Sequence, residues 1–212
     1  MKKYLVEFIG TFFLVFTAGM AVTFAGNLAP LAIGSALMVM VYAGGHISGG
    51  HYNPAVTTAV YIRGGNIELK DALMYIVFQI IAAIVASAVA WWFIGHAPVV
   101  APSPFYTKWM KLGAEMLGTF ALAYVVLNSA THLKTSGNSF YGLAIGFTVT
   151  TMAFAVGGVS GGAFNPAVGI GPNIMQIITG DMSAWHHIIL YIVGPVLGGV
   201  IAGYTYKFIN AE

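Results

Sequence analysis

Six apolar runs dominate this sequence, and each is long enough, or nearly so, to cross a lipid bilayer. A transmembrane helix needs about 20 consecutive apolar residues to span a hydrocarbon core roughly 30 Å thick. The runs cover approximately Tyr4–Ala25, Leu31–Ala43, Asp71–Ile94, Trp109–Asn128, Ser139–Val156 and Ala184–Phe208. The second is short unless it continues into the Gly-rich stretch that follows it. Turn-forming segments separate them: Gly26-Asn27-Leu28-Ala29-Pro30, His96 to Thr107 with its prolines, and His132 to Asn138. Lys2 and Lys3 ahead of an apolar run resemble the start of a signal peptide. That run is too long for an h-region and carries a motif repeated later, so it reads as the first membrane helix.

Charge supports the same class. The 212 residues include 8 Lys+Arg and 6 Asp+Glu, 7% charged against 58% hydrophobic, where soluble domains carry about 25% charged residues. So few charges cannot coat a globule in water. A cytosolic enzyme, a disordered chain and a nucleic-acid binder are excluded, the last because a net charge of +2 makes no phosphate-binding face. With no Cys, disulfides, thiol chemistry and Cys-ligated zinc are excluded too. Six spans put both ends on one side, with Lys2, Lys3, Arg63, Lys70, Lys134 and Lys207, leaving Lys108 and Lys111 opposite. The positive-inside rule then places both termini in the cytoplasm of a multi-pass cell-membrane protein.

The sequence repeats itself. Glu7-Phe8-Ile9-Gly10-Thr11-Phe12 matches Glu115-Met116-Leu117-Gly118-Thr119-Phe120. Ser48-Gly49-Gly50-His51-Tyr52-Asn53-Pro54-Ala55-Val56 matches Ser160-Gly161-Gly162-Ala163-Phe164-Asn165-Pro166-Ala167-Val168. Tyr75-Ile76-Val77 matches Tyr191-Ile192-Val193. Three matches in one order divide the single domain, 1–212, into halves of about 1–105 and 106–212. Each half has three spans, an odd number, so the second enters the membrane from the opposite side. Inverted repeats of this kind place a solute site near the midplane where the halves meet.

Each Asn-Pro-Ala follows a span and precedes a run too short to cross. Pro54 to Arg63 is about 15 Å of helix, half the membrane, and Pro166 to about Gln176 is similar. Asn followed by Pro is a helix-start signature. The Ser-Gly-Gly ahead of it is then irregular backbone at membrane depth, tolerated only where it is buried in protein or lines a watery cavity. Two half-helices entering from opposite faces bring Asn53 and Asn165 together, with their amide donors and positive dipole ends facing one file of solute. That arrangement favours a neutral, oxygen-bearing molecule over cations and protons. The expected fold is all-α: six transmembrane helices plus two re-entrant half-helices.

These motifs resemble those of the major intrinsic protein family, the aquaporins and aquaglyceroporins, over nearly the whole chain. The likeness includes Glu7-x-x-Gly10-Thr11, the His46 to Val56 segment, Gln79, Glu115-x-x-Gly118-Thr119, Asn165-Pro166-Ala167 and Gly194-Pro195. It implies a passive channel, not an enzyme, in a homotetramer with one pore per subunit. It places pore positions at His51, Asn53, Pro54, Ala55, Asn165, Pro166 and Ala167, and gives Glu7 and Glu115 the task of bracing the re-entrant loops. It also places the family's outer constriction at Ile33, Ala153, Gly162 and Val168. The water-selective pattern there is an aromatic, a His, a small residue and an Arg. Without the Arg, and with Ile and Ala for the larger groups, the mouth is expected to be wide and apolar. Water, ammonia, hydrogen peroxide, urea or small polyols would then pass, unless Ile33, Phe154 or Phe164 refills the gap.

An acid within a span is functional by default, so proton coupling through Glu7 or Glu115 in a secondary active transporter stands as the alternative. His46 and His51 have no further ligand at metal spacing, and neither a metal nor a cofactor is expected. His51 is expected to hydrogen-bond within its loop near the cytoplasmic vestibule, and His186-His187 to be interfacial. Trp91, Trp92, Trp109 and Trp185 fall near span ends, as aromatic belts do. Gly142-x-x-x-Gly146 and Gly194-x-x-x-Gly198 mark close helix crossings. The expected partners are the bilayer and small neutral solutes.

Overall fold

The fold, taken from a computed structural model that describes residues 1–210, consists of helices and connecting segments. Six long helices are apolar enough to span a membrane: α1 (Lys2–Phe24), α2 (Ala29–Ser48), α4 (Leu69–Ile94), α5 (Lys108–Ala130), α6 (Tyr141–Ser160) and α8 (Ala184–Ile209). Two short ones, α3 (Pro54–Arg63) and α7 (Pro166–Ile178), follow α2 and α6. The order long, long, short, long therefore occurs twice. The second apolar run does extend into its Gly-rich end, because α2 has 20 residues and stops only at Gly49. Gly49 and Gly161 sit in the left-handed region, φ 90° and 91°, and cap α2 and α6 identically.

The helices are inside out compared with those of a soluble bundle. Along α1 the buried positions include Glu7, Gly10, Thr11 and Ala18, whereas Leu5, Ile9 and Phe13 are exposed. The polar and small residues of α1 face the interior, together with Leu14 and Val15, while the outward face is apolar, as a lipid surround demands. Trp92, Trp109 and Trp185 are exposed around the ends of α4, α5 and α8.

Glycine sets how closely helices approach. A Cβ on Gly34 of α2 would lie 2.5 Å from the Gly146 carbonyl oxygen of α6, and one on Gly146 would lie 2.4 Å from the Gly34 carbonyl oxygen. Backbone meets backbone there, at the expected Gly142-x-x-x-Gly146 crossing. At the other expected pair, Gly198 leaves no room between α8 and the Met116 carbonyl of α5.

The two short helices start at a common centre and run in opposite directions. At the end of α3, Arg63 donates to the carbonyl of Thr131, just beyond the C-terminus of α5. Gln176, near the end of α7, donates to the carbonyl of Pro98 in the segment leading into the N-terminus of α5. The two helix ends thus lie at opposite ends of α5.

Candidate conduction pore

Asn53 and Asn165 start the half-helices and also lock them together. Each has an extended backbone, φ −156° and −160°, and its side-chain Oδ1 accepts from the first free amides of its own helix. Ala55 N–H donates to Asn53 Oδ1 at 2.9 Å and Val56 N–H at 3.4 Å, while Ala167 N–H donates to Asn165 Oδ1 at 2.9 Å. The remaining group, Nδ2, crosses to the other repeat. Asn53 Nδ2 donates to the Phe164 carbonyl and Asn165 Nδ2 to the Tyr52 carbonyl, both at 2.9 Å. One of each amide's two hydrogens is therefore committed to protein, which leaves one on each asparagine for solute.

Tyr52 and Phe164 have φ of 48° and 47°, a conformation that costs a bulky residue energy and persists only when its surroundings enforce it. The buried carboxylates do so. Glu115 Oε1 accepts from Ser160 Oγ (2.6 Å) and Ala163 N–H (3.1 Å), and Oε2 from Phe164 N–H (2.7 Å). Glu7 Oε1 accepts from Ser48 Oγ (2.7 Å) and His51 N–H (3.0 Å). Its Oε2 accepts from Tyr52 N–H (2.7 Å) and Gln79 Nε2 (2.8 Å). Both carboxylates are fully buried in these contacts. The rings that the turned backbone throws aside lie on glycine: a Cβ on Gly10 would come within 2.2 Å of Tyr52, and one on Gly118 within 2.3 Å of Phe164. The repeated Glu-x-x-Gly is therefore one device, an acid for the loop backbone and a gap for its aromatic side chain.

Where the halves meet, a narrow cavity of about 40 Å³ contains both asparagines. One water needs about 10–15 Å³ by this measure, so the cavity holds about three in file. Its polar lining comes from Asn53, Asn165 and His51, together with the Gly50 and Gly161 to Ala163 loop segments. Aliphatic side chains supply the rest: Leu14, Ala18 and Val22 from α1, Ile33 and Leu37 from α2, and Leu122 and Val126 from α5. Ile145 and Val149 of α6 also contribute, as do Val56, Val168 and, from the segment 96–107, Val100. There is no charged group in the lining.

Of the four expected constriction positions, Ile33, Gly162 and Val168 line this cavity and Ala153 does not; Val149, one helical turn before it, supplies the α6 wall. Pro54, Ala55, Pro166 and Ala167 also lie outside the lining. They are buried behind it, where the prolines open the helices and Ala55 packs under Gly199 of α8. Of the three expected gap-fillers only Ile33 reaches the cavity; Phe154 is 58% exposed on the outer surface and Phe164 is held against Gly118. Sequence reasoning missed most of the aliphatic wall, including Leu14 and Val22 of α1, Leu122 of α5, Val149 of α6 and Val100. The 96–107 segment is held there by α6 and α7: Asn173 Nδ2 donates to the Val100 carbonyl at 2.9 Å, and Ser103 N–H to the Val159 carbonyl at 3.2 Å.

His51 sits where the narrow cavity opens into a vestibule of about 730 Å³, and lines both. Its Nδ1 pairs with Thr57 Oγ1 of α3 at 3.1 Å, a partner outside the expected loop. His187 Nδ1 lies 3.1 Å from Asn173 Oδ1, so it helps to hold α7. Among the described residues no cluster of three or more His, Cys, Asp or Glu could hold a metal ion.

The profile of the major intrinsic protein family matches residues 1–206. The chain belongs to this family. It is 40% identical over 222 residues to "Glycerol uptake facilitator protein-like 6" of Lactiplantibacillus plantarum, covering all of both chains. It is 31% identical over 243 residues to "Aquaporin AqpM" of Methanothermobacter thermautotrophicus, covering 100% of this chain and 98% of that one. An aquaglyceroporin from Plasmodium falciparum, solved by X-ray crystallography, shares the fold: TM-score 0.86 at 20% identity, over 99% of this chain and 96% of that one. Family membership makes this chain a multi-pass membrane channel for water or small solutes and not an enzyme.

Proposed function

We propose that this channel conducts small neutral solutes beyond water, with ammonia and hydrogen peroxide ahead of urea and small polyols. One observation carries the proposal: the cavity around Asn53 and Asn165 is walled by aliphatic side chains and holds no cation. Selectivity in such pores follows from diameter, lining hydrogen-bond groups and electrostatic barriers. With Val168 in place of the family's Arg, the barrier to ions is left to two half-helix N-termini and the uncommitted amide hydrogens. An apolar wall gives water few partners and penalises an ammonia molecule less. The small volume orders the solutes by size. Ile33, Ala153, Gly162 and Val168 are the proposed outer filter, with both termini cytoplasmic in the cell membrane and the working unit a homotetramer.

A carrier coupled to protons fits less well, because neither Glu7 nor Glu115 lines the cavity and each is occupied by loop donors. Stopped-flow flux in proteoliposomes tests the reading. The native protein should pass ammonia and hydrogen peroxide without saturation or ion gradient, and Val168→Arg should reduce both more than it reduces water. Water flux with complete exclusion of ammonia, hydrogen peroxide, urea and glycerol would overturn it.

A further inference from the structure

A further cavity, which shares no lining residue with the narrow cavity or the vestibule, lies at the C-terminal end of α8. It has a volume of about 670 Å³, with Arg63, Lys134, Lys207 and His132 among its lining residues, beside Leu133 and Ile209. We propose that it binds the phosphate headgroup of an anionic phospholipid at the cytoplasmic face; the choice of leaflet rests on the orientation proposed above.

Among the described residues the single ion pair joins Lys3 and Asp71, at the far side of the vestibule, and none involves Arg63, Lys134 or Lys207. Arg63 is fixed in place: Nη1 donates to the Gly64 carbonyl (2.7 Å) and to Asn66 Oδ1, Nη2 to the Thr131 carbonyl (2.8 Å), and the guanidinium lies 5.2 Å from the Tyr206 ring centre. All these partners are neutral. His132 Nδ1 accepts from Lys134 N–H (3.0 Å), which leaves Nε2 as the protonated nitrogen, 3.1 Å from Asn210 Oδ1. The histidine pins the loop that carries Lys134 to the end of α8 that carries Lys207.

The apolar rim chooses between a lipid and a free anion. Leu133 is 87% exposed and Ile209 57% exposed, and both line the cavity with these cations. Exposed bulky apolar side chains next to cations match an amphiphile lying at the membrane interface, and basic pockets between transmembrane helices on this side take anionic headgroups. Inorganic phosphate would use the cations alone and leave the rim unsatisfied.

Native mass spectrometry of the detergent-solubilised protein, titrated with phosphatidylglycerol or phosphatidylcholine, tests this. Each cation near an anionic lipid strengthens association about fivefold, so K134Q/K207Q should bind phosphatidylglycerol about 25-fold more weakly than the native chain. The matched pair K108Q/K111Q, on the opposite side, should bind as the native chain does. Native binding that does not prefer phosphatidylglycerol over phosphatidylcholine would overturn the proposal. So would K134Q/K207Q binding within twofold of native, or displacement of the lipid by millimolar phosphate. Lys108, Lys134 and Lys207 are exposed and Lys111 is half-buried, so the variants are expected to fold, and the readout does not depend on which solute the pore conducts.

Discussion

Asn53 and Asn165 do not bond to each other; each donates to the carbonyl that precedes the other, Asn53 to Phe164 and Asn165 to Tyr52. The two half-helices are thus held end to end by a reciprocal pair of bonds, made by the same side chains that cap them. Removing either amide uncaps a helix, at a cost of about 1 kcal/mol. It also strands a buried carbonyl, at about 1–3 kcal/mol. Asn53→Ala and Asn165→Ala should each lose about 2–4 kcal/mol in denaturant unfolding of the detergent-solubilised protein. The double variant should lose less than the sum, because one broken bond already loosens the junction the other serves. Strict additivity would show that the two bonds act separately.

Glu7→Gln and Glu115→Gln should lower the yield of folded protein without changing the pH profile of flux per folded channel. The two should differ in degree. Each oxygen of Glu7 accepts two hydrogen bonds, so a glutamine NH₂ faces two donors in either orientation. At Glu115, Oε2 accepts only from Phe164 N–H among the side-chain and backbone donors in place, so the NH₂ can turn toward a single donor. Glu7→Gln is expected to be the more damaging. A shifted pH profile at normal yield would instead mark either acid as a proton carrier.

Gly10→Ala and Gly118→Ala test the other half of the repeated motif. A methyl group at either position meets an aromatic ring on a backbone with nowhere to go, and overpacking of this kind costs typically 1–3 kcal/mol. Unfolding of the two glycine variants should reveal losses in that range. Phe164→Leu should restore much of the loss in Gly118→Ala, since the smaller side chain vacates the contact. No rescue would mean that the glycine serves the helix and not the ring.

What the sequence made legible was local or repeated. Span lengths, helix starts at Asn53 and Asn165, and the matched acids all follow from short-range patterns. The α1 helix shows why the pore wall did not: in a helix that is apolar nearly all round, hydropathy does not reveal which face turns inward. Leu14, Ala18 and Val22 line the cavity while Leu5, Ile9 and Phe13 face out, and both sets are equally hydrophobic. The cross-repeat bonds join residues 111 and 113 positions apart, a pairing that no local window contains. On α6 this cavity is walled by Val149 and Ile145, one and two turns before Ala153.

Val100 offers the sharpest test of the outer wall. It sits in no helix, yet it is 7% exposed and lines the cavity, because two buried side chains of α7 hold its segment. Asn173 Nδ2 donates to the Val100 carbonyl and Gln176 Nε2 to the Pro98 carbonyl, each at 2.9 Å. Val100→Phe should narrow the file without disturbing those bonds, which use the backbone carbonyls. Each added 1.4 kcal/mol of barrier slows passage about tenfold, and a fixed obstruction raises the barrier more for a larger solute. Urea and glycerol flux should therefore fall at least tenfold while water and ammonia fall less, measured by stopped-flow on the same proteoliposomes. Asn173→Ala frees the segment and should blur the size order in the opposite direction. Equal loss for every solute in Val100→Phe would place the limiting constriction elsewhere.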